Sequence, residues 1–211
     1  MLKNLLAPFL KSSSKATLVG PRLGATEAQA LTYVEGLILI DGARSAFEKK
    51  PPSSLLVGDG DSCRPEVLSE FDFLCDPNKS ESDLALLLES LPQTVKELTL
   101  FGFRGGRLDH ELFNLGELSY WLAKAPDRKL SHGEDLEGRS SGEWDFEFEG
   151  LFSLLTLQEC QFTMTGDIEY PLKAQTVAAL KSLTLSNRSA GAFTIHSSKP
   201  FFLYRNLPEL H

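Results

Sequence analysis

The sequence contains few cysteines, and they are not arranged as a metal site. Cys63, Cys75 and Cys160 are widely spaced, with no Cys-x-x-Cys pair and no neighbouring histidine cluster. This pattern argues against a structural zinc site, in which closely spaced cysteine and histidine ligands are the rule. Three unpaired thiols are typical of a reducing cytoplasm, which we take as the expected location.

Long apolar runs are also missing. No stretch approaches the roughly 20 apolar residues that a helix needs to cross a bilayer, so we expect a soluble protein without membrane contacts. The opening MLKNLLAPFLK is apolar but short, and it contains Pro8. We interpret it as a frayed segment or a helix packed on the domain, not as a signal peptide, because no small-residue cleavage site follows.

An excess of positive charge is absent as well. The 21 lysines and arginines are outnumbered by 29 aspartates and glutamates, which gives a net charge of −8. This balance argues against nucleic acid as the main partner. The chain also lacks a glycine-rich dinucleotide fingerprint and a Walker-type Gly-Lys-Ser/Thr loop, which weakens two common nucleotide-binding interpretations.

The first part of the chain alternates short apolar runs with helix-forming stretches. Buried strands are predicted at 16–20, 37–41, 54–59, 71–76 and 97–102. Strands that alternate with helices indicate a parallel sheet covered by helices. We therefore predict an α/β fold in which residues 1–127 form a Rossmann-like nucleotide-binding and catalytic domain with flanking helices.

The second part of the chain has a different pattern. Trp144, Phe146 and Phe148 alternate with acidic residues, which is the period of a half-buried strand. Further short strands follow, separated by turns. We predict that residues 128–211 form a C-terminal antiparallel β-sandwich domain.

Acidic residues collect where the predicted strands end. Asp41 closes one strand, and Asp59 and Asp61 follow the next in the sequence GDGDS. Ligands of parallel sheets bind at the carboxyl ends of the strands, and carboxylate oxygens suit Mg²⁺. The alternative is structural, because Asp59 and Asp61 could shape a turn, or Asp61 or Ser62 could cap the next helix.

A second motif, KSESD, opens a predicted helix at residues 79–83. Lys79 precedes the helix, and Ser82 and Asp83 fall in its first turns, where backbone N–H groups favour anions. A phosphate would fit there. Equally, Ser80 or Ser82 could be a simple N-cap, with Asp83 a favourable first-turn charge.

A third motif joins a glycine pair to another predicted helix. After Gly105 and Gly106, the side chains of Arg107, His110 and Asn114 share one helix face. A cation, an imidazole and an amide at a helix start could bind phosphate or sugar oxygens. Taken singly, His110 would more often be an ordinary surface or boundary histidine.

In this order, the motifs resemble the thiamine pyrophosphokinase family. That family typically has Asp-Gly-Gly after its second strand, Gly-Asp-Phe-Asp-Ser after its third, Lys-Asp-x-Thr-Asp opening a helix, and a later Gly-Gly-Arg-x-Asp-His. The chain has DGA at 41–43, GDGDS at 58–62, KSESD at 79–83 and GGRLDH at 105–110, and GDIEYPL at 166–172 and SN at 186–187 extend the resemblance. It departs from the family pattern at Ala43, Gly60, Ser80 and Ser82.

The resemblance implies an enzyme, a thiamine diphosphokinase, with ATP and thiamine as substrates. Such an enzyme transfers a pyrophosphoryl group from ATP to the thiamine hydroxyl, gives thiamine diphosphate and AMP, requires Mg²⁺ and acts as a homodimer with thiamine near the interface. By matched position the implied catalytic residues are Asp41, Asp59, Asp61 and Asp83, of which Asp59, Asp61 and Asp83 would bind the metal. The implied ATP-binding residues are Lys79, Ser82, Arg107, Asp109 and His110. The implied thiamine-binding residues are Tyr170, Ser186 and Asn187.

Two other functions stay open. One is a related enzyme that phosphorylates or pyrophosphorylates another small alcohol, and the other is a non-catalytic protein that binds a nucleotide or thiamine. The four matched aspartates favour an enzyme, because a binding protein has no evident need for so concentrated an acidic cluster.

Overall fold

The computed structural model describes residues 1–206 of the chain. The contacts between backbone segments divide it into two compact units, of which the first is Met1–Glu117 and the second begins at Leu118. The domain boundary predicted at 127/128 lies later than this division and stays a prediction. No helix in the described chain is both long enough and apolar enough to span a membrane.

The first unit is built on a parallel sheet of five strands. The strands are β1 (Lys15–Val19), β2 (Leu37–Ile40), β3 (Ser54–Gly58), β4 (Phe73–Leu74) and β5 (Glu97–Phe101). Their order across the sheet is β5-β1-β2-β3-β4, and every neighbouring pair is parallel. All five strands therefore present their carboxyl ends at the same edge.

Helices lie before, between and after these strands. They are α1 (Leu2–Leu10), α2 (Ala25–Leu31), α3 (Asp83–Ser90) and α4 (Leu108–Ala123). Every residue of β2 and β3 is buried, as expected for parallel strands covered on both faces. The opening segment forms α1 and buries Leu2, Leu6 and Leu10 along one face, which confirms the interpretation as a packed helix.

Two of the stretches predicted to be helical, ARSAFEKK at 43–50 and RPEVLSE at 64–70, do not form α-helices. Residues Asp41–Ala46 and Pro65–Glu70 each form six-residue 3₁₀ helices. Such short stretches gain too few hydrogen bonds to offset the cost of starting an α-helix. The fourth strand is also shorter than predicted, because only Phe73–Leu74 pairs with β3.

The second unit contains seven antiparallel strands. They are β6 (Lys129–His132), β7 (Leu136–Arg139), β8 (Gly142–Leu155), β9 (Cys160–Ile168), β10 (Leu172–Val177), β11 (Asn187–Ser197) and β12 (Phe201–Asn206). Their order is β10-β9-β11-β8-β12-β7-β6. A 3₁₀ turn, Ser182–Thr184, precedes β11.

An aromatic core holds this second unit together. Phe146 is buried and its acidic neighbours in β8 are exposed, which confirms the predicted alternation. Phe152 and Phe193 stack with ring centroids 5.0 Å apart. The mixed α/β class is thus confirmed, whereas the descriptions as Rossmann-like and β-sandwich domains stay predictions.

Candidate active site

The loops at the carboxyl edge of the parallel sheet surround a cavity of about 740 Å³. That volume lies within the range of small-ligand and cofactor sites. The cavity lies within the first unit. Of the nine predicted catalytic and ATP-binding residues, eight line it: Asp41, Asp59, Asp61, Lys79, Ser82, Asp83, Arg107 and His110.

Three carboxylates meet on one side of this cavity. Asp41, Asp59 and Asp83 each place a carboxylate oxygen within 4.8 Å of the others. They come from three places in the sequence, namely the end of β2, the end of β3 and the first turn of α3. Three like charges at this distance repel one another, so a cation between them would lower the electrostatic energy.

Asp41 is held in place by the turn that follows β3. Its backbone has a φ of +47°, it is only 8 % exposed, and its Oδ1 accepts a hydrogen bond of 3.0 Å from the N–H of Gly60. A side chain at Gly58 would not fit, since its Cβ would lie 2.9 Å from the Asp41 Cβ. The Cys63 thiol donates to the same Oδ1 at 3.9 Å. A left-handed backbone at a non-glycine residue is strained, and such strain is common at functional sites.

Lys79 joins the other two members of the group. Its ammonium forms a close ion pair with Asp59 and lies 3.3 Å from Oδ1 of Asp83. Burial raises the pKa of Asp59, but the hydrogen bond and charge of Lys79 outweigh it and leave that pKa below its usual value. Burial lowers the pKa of Lys79, and its two carboxylate partners more than reverse this.

Asp83 is in a different electrostatic position. Its pKa is raised, chiefly by burial and further by the charge of Asp59, although Lys79 opposes the shift. Oδ1 is buried and is ion-paired with the Lys79 ammonium at 3.3 Å, but it accepts no well-formed hydrogen bond within residues 1–206. A buried carboxylate oxygen with an unused lone pair is suited to a metal ion or another cation.

Asp61 lies apart from the group of three. It lines the cavity but is exposed, and its Oδ1 accepts a hydrogen bond of 2.9 Å from the Ser62 hydroxyl. Its backbone N–H donates to Oδ1 of Asp59 at 3.2 Å, as in an Asx-turn. The GDGDS segment therefore combines both interpretations, because Asp59 shapes the turn and also belongs to the carboxylate group.

Ser82 is the N-cap of α3. Its hydroxyl accepts a hydrogen bond of 3.1 Å from the N–H of Ala85, so the capping interpretation of this serine is confirmed. The same residue lines the cavity. The cap and a role in ligand binding are therefore compatible.

The glycine pair before α4 holds an acidic side chain. The N–H groups of Gly105 and Gly106 both donate to Oε1 of Glu111, at 2.9 and 3.0 Å. Arg107 pairs with Asp109, with Nε 3.1 Å from Oδ1. Asp109 is the one predicted ATP-binding residue that does not line the cavity.

The three predicted thiamine-binding residues lie close to one another in the second unit. The Asn187 side chain donates to the carbonyl of Tyr170 at 2.8 Å and accepts from its N–H at 3.1 Å. Ser186, with a φ of +57°, immediately precedes Asn187. The Tyr170 side chain is 59 % exposed, and its hydrogen bond with Glu169 raises the pKa of its hydroxyl.

Comparison with known proteins decides the family. Residues 29–130 match the family model for the catalytic domain of thiamin pyrophosphokinase. The matched segment belongs to the thiamin pyrophosphokinase family. The matched segment contains the carboxylate group, Lys79 and the Gly-Gly-Arg motif, so the predicted family and its enzyme class are confirmed.

Solved structures of thiamin pyrophosphokinases have the same fold. The enzyme from Geobacillus thermodenitrificans is 20% identical, with a TM-score of 0.68 over 92% of this chain and 99% of that one. The enzyme from Candida albicans is 12% identical, with a TM-score of 0.68 over 94% and 90%. The enzyme from Bacillus subtilis is 19% identical, with a TM-score of 0.64 over 90% and 98%. No curated protein matches the sequence.

At residue 60 this chain has glycine where the family motif has phenylalanine, and the surroundings of that glycine are crowded. Gly60 has a φ of +77°, and a Cβ at this position would lie 2.4 Å from Cδ2 of Leu68. Leu74 and Phe71 are the next nearest neighbours, at 3.6 and 3.8 Å. Side chains from the following segment thus occupy the space beside residue 60, and the Leu68 side chain would have to move to admit a larger residue there.

Sequence reasoning missed three charged residues of the cavity: Arg22, Glu81, which lies within the KSESD motif, and Glu111. Arg22 follows the carboxyl end of β1, and this position in the sequence could have indicated that it lies at the ligand site. The signal for Glu111 was an acidic residue one turn after a glycine pair. Two thiols, the half-buried Cys63 and the buried Cys75, were also missed as neighbours of the carboxylates. Burial and the adjacent charges of Asp41 and Asp83 raise the pKa of Cys63 and of Cys75, respectively, to about 11.

Proposed function

We propose that this protein transfers the pyrophosphoryl group of ATP to the hydroxyl of thiamine, which gives thiamine diphosphate and AMP in a Mg²⁺-dependent reaction. The observation that carries the proposal is the group of Asp41, Asp59 and Asp83 at the carboxyl edge of the sheet. It lies in the segment that matches the family's catalytic domain. The names of the similar solved structures support thiamine as the acceptor.

The residues present fit a magnesium ion. Mg²⁺ prefers oxygen ligands and commonly uses one or two carboxylates together with substrate phosphates. Asp83 supplies a buried oxygen whose one charged neighbour at ion-pair distance in the described chain is Lys79, and Asp41 and Asp59 supply carboxylates beside it. When bound, the ion would neutralise phosphate charge. Asp61, predicted as a third ligand, stays a candidate at the rim of the site.

To catalyse this transfer, the protein mainly has to position the reactants and to stabilise charge. The thiamine hydroxyl oxygen forms a bond to the β-phosphorus of ATP, and the bond from that phosphorus to the oxygen bridging to the α-phosphate breaks. AMP leaves with that oxygen, and the hydroxyl proton is released. Lys79, held by Asp59 and Asp83, places one fixed positive charge where the phosphates would lie.

We assign the remaining substrate contacts to residues of each unit in turn. Ser82, Arg107 and His110 line the cavity and would contact ATP, while Asp109 would orient the Arg107 guanidinium through their ion pair. In the second unit, Tyr170, Ser186 and Asn187 would contact thiamine. We propose a homodimer in the cytoplasm, in agreement with three free cysteines.

The decisive experiment measures AMP formed from ATP and Mg²⁺ with and without thiamine. We expect AMP to appear in proportion to thiamine diphosphate and to fall to background in the Asp59→Asn variant. If thiamine adds no AMP above the thiamine-free reaction, the proposal fails. AMP produced only with another alcohol would identify a related pyrophosphokinase, and ATP binding without any turnover would identify a binding protein.

A further inference from the structure

The loop after β1 packs closely against the loop after β5, and a glycine in each loop allows the two backbones to approach. A Cβ on Gly20 would lie 2.6 Å from the Gly102 carbonyl oxygen, and a Cβ on Gly102 would lie 2.6 Å from the Gly20 oxygen. The Arg22 N–H donates to the Gly102 oxygen at 2.9 Å. This close backbone contact fixes the position of Arg22 at the carboxyl edge of the sheet.

A third glycine makes room for the Arg22 side chain. If Gly106 carried a Cβ, that atom would lie 3.1 Å from Nε and 3.7 Å from Cζ of Arg22. The guanidinium group therefore lies directly over the backbone of Gly106. The side chain lines the same cavity as the three carboxylates.

Arg22 differs from the lysine and the other arginine of the cavity, because its side chain has no partner in the described part of the chain. Within residues 1–206, three lysine or arginine side chains line this cavity: Arg22, Lys79 and Arg107. Lys79 is engaged by two aspartates, and Arg107 pairs with Asp109. The Arg22 guanidinium makes no hydrogen bond or ion pair to any described residue.

From this geometry we infer that Arg22 binds the phosphate chain of the nucleotide. A guanidinium offers a planar set of donors that matches phosphate oxygens and keeps its charge at all working pH values. Lys79 carries one positive charge that its two carboxylate partners offset in part, so a second cationic side chain would add to the attraction for an anionic triphosphate. The inference rests on the proposed ATP site and adds a residue outside the matched segment 29–130.

The test measures equilibrium binding of Mg-ATP and of inorganic triphosphate to wild type, Arg22→Gln and Arg22→Lys. We expect Arg22→Gln to weaken both ligands about tenfold or more, the usual effect of losing a charge-assisted hydrogen bond. Arg22→Lys should recover part of the loss. The matched control is Arg64→Gln, because Arg64 is also an exposed arginine in a loop after a strand but does not line the cavity.

The contact between Arg22 and Gly106 allows a second, independent test of the role of Arg22. Gly106→Ala should displace the guanidinium and weaken triphosphate binding in wild type, but add little in an Arg22→Gln background. Thermal unfolding midpoints close to wild type would show that the exposed Arg22 variants are folded.

The outcomes separate the inference from the proposed function. If wild type binds ATP and Arg22→Gln binds it equally well, the inference is overturned and the proposed function stands. An equal loss in Arg64→Gln would also overturn it, because the effect would then be one of overall charge. If wild type binds neither ATP nor inorganic triphosphate, the proposed function fails, and the inference fails with it.

Discussion

Asp59 and Asp83 share the Lys79 ammonium, yet their pKa values shift in opposite directions. For Asp59 the folded pKa is lowered, so its carboxylate stabilises the fold above the unfolded pKa of about 3.9. That contribution is lost as the pH falls through the folded pKa. For Asp83 the folded pKa is raised, so ionisation above about pH 3.9 opposes folding.

These directions predict opposite effects of two similar substitutions without metal. At pH 7 Asp59→Asn should lower the free energy of unfolding by about 1 kcal/mol, and Asp83→Asn should raise it by a similar amount. Urea unfolding in the presence of a chelator measures both. The Asp59→Asn deficit should shrink as the pH approaches 3.

Asp61→Asn is the matched control, since Asp61 is exposed and lies outside the carboxylate group. Its unfolding free energy should stay within about 0.5 kcal/mol of wild type. Destabilisation of equal size in Asp59→Asn and Asp83→Asn would contradict the electrostatic assignment.

Gly60 is required by its backbone conformation and by its neighbours. With a φ of +77° and Leu68 beside it, Gly60→Ala should lower the free energy of unfolding by about 1–3 kcal/mol. Adding Leu68→Ala should recover the part that comes from the clash. Gly116→Ala is the control, because no atom lies within 4 Å of a Cβ there and alanine favours a helix by about 0.5–1 kcal/mol. Wild-type stability of Gly60→Ala would refute this account.

At the scale of elements, the start of α3 carries both a structural and a ligand-binding role. Ser82→Ala removes the cap and should destabilise the protein by about 1 kcal/mol. Ser82→Asp keeps a capping oxygen but adds a negative charge beside the phosphates. It should therefore preserve stability and weaken ATP binding, as measured by thermal unfolding and calorimetric titration.

Ser90→Ala, at the other end of α3, should change neither property appreciably. If Ser82→Asp binds ATP as tightly as wild type, Ser82 is a cap only. The comparison therefore separates the two interpretations that the sequence left open.

Element prediction succeeded where burial alone determines local structure. The runs 37–40 and 54–58 are continuous and apolar, and both form fully buried strands. It was less successful for the helices predicted at 43–50 and 64–70, where the structure has 3₁₀ helices at 41–46 and 65–70. There the neighbouring turns, such as the one that holds Asp41 against Gly60, determine the geometry, and local composition does not contain that information.

At the scale of the whole molecule, the repulsion among three carboxylates should make folding depend on Mg²⁺. Binding to the folded state alone adds about 2.7 kcal/mol at 100 times the dissociation constant. For a chain of this size that corresponds to a rise of roughly 5–10 °C in Tm. Differential scanning calorimetry with MgCl₂, against NaCl of equal ionic strength, measures it.

The same experiment identifies the ligands. Asp41→Asn should abolish most of the Mg²⁺-dependent rise, whereas Asp61→Asn should retain it if the group of three holds the ion. Loss of the rise in Asp61→Asn alone would favour the ligand set Asp59, Asp61 and Asp83. An equal rise with NaCl would mean that salt screening, and not a specific site, stabilises the protein.

The sequence by itself determined the mixed α/β class, the family and the strand ends at which the acidic residues lie. It could do so because apolar periodicity sets the elements and because the motifs GDGDS, KSESD and GGRLDH occur in a specific order. Only the tertiary structure placed Asp41 within 4.8 Å of Asp59 and Asp83 while Asp61 stayed outside that group. It alone placed Arg22 over Gly106. Contacts between distant segments depend on backbone conformation and on space left by other side chains, neither of which the order of residues along the chain specifies.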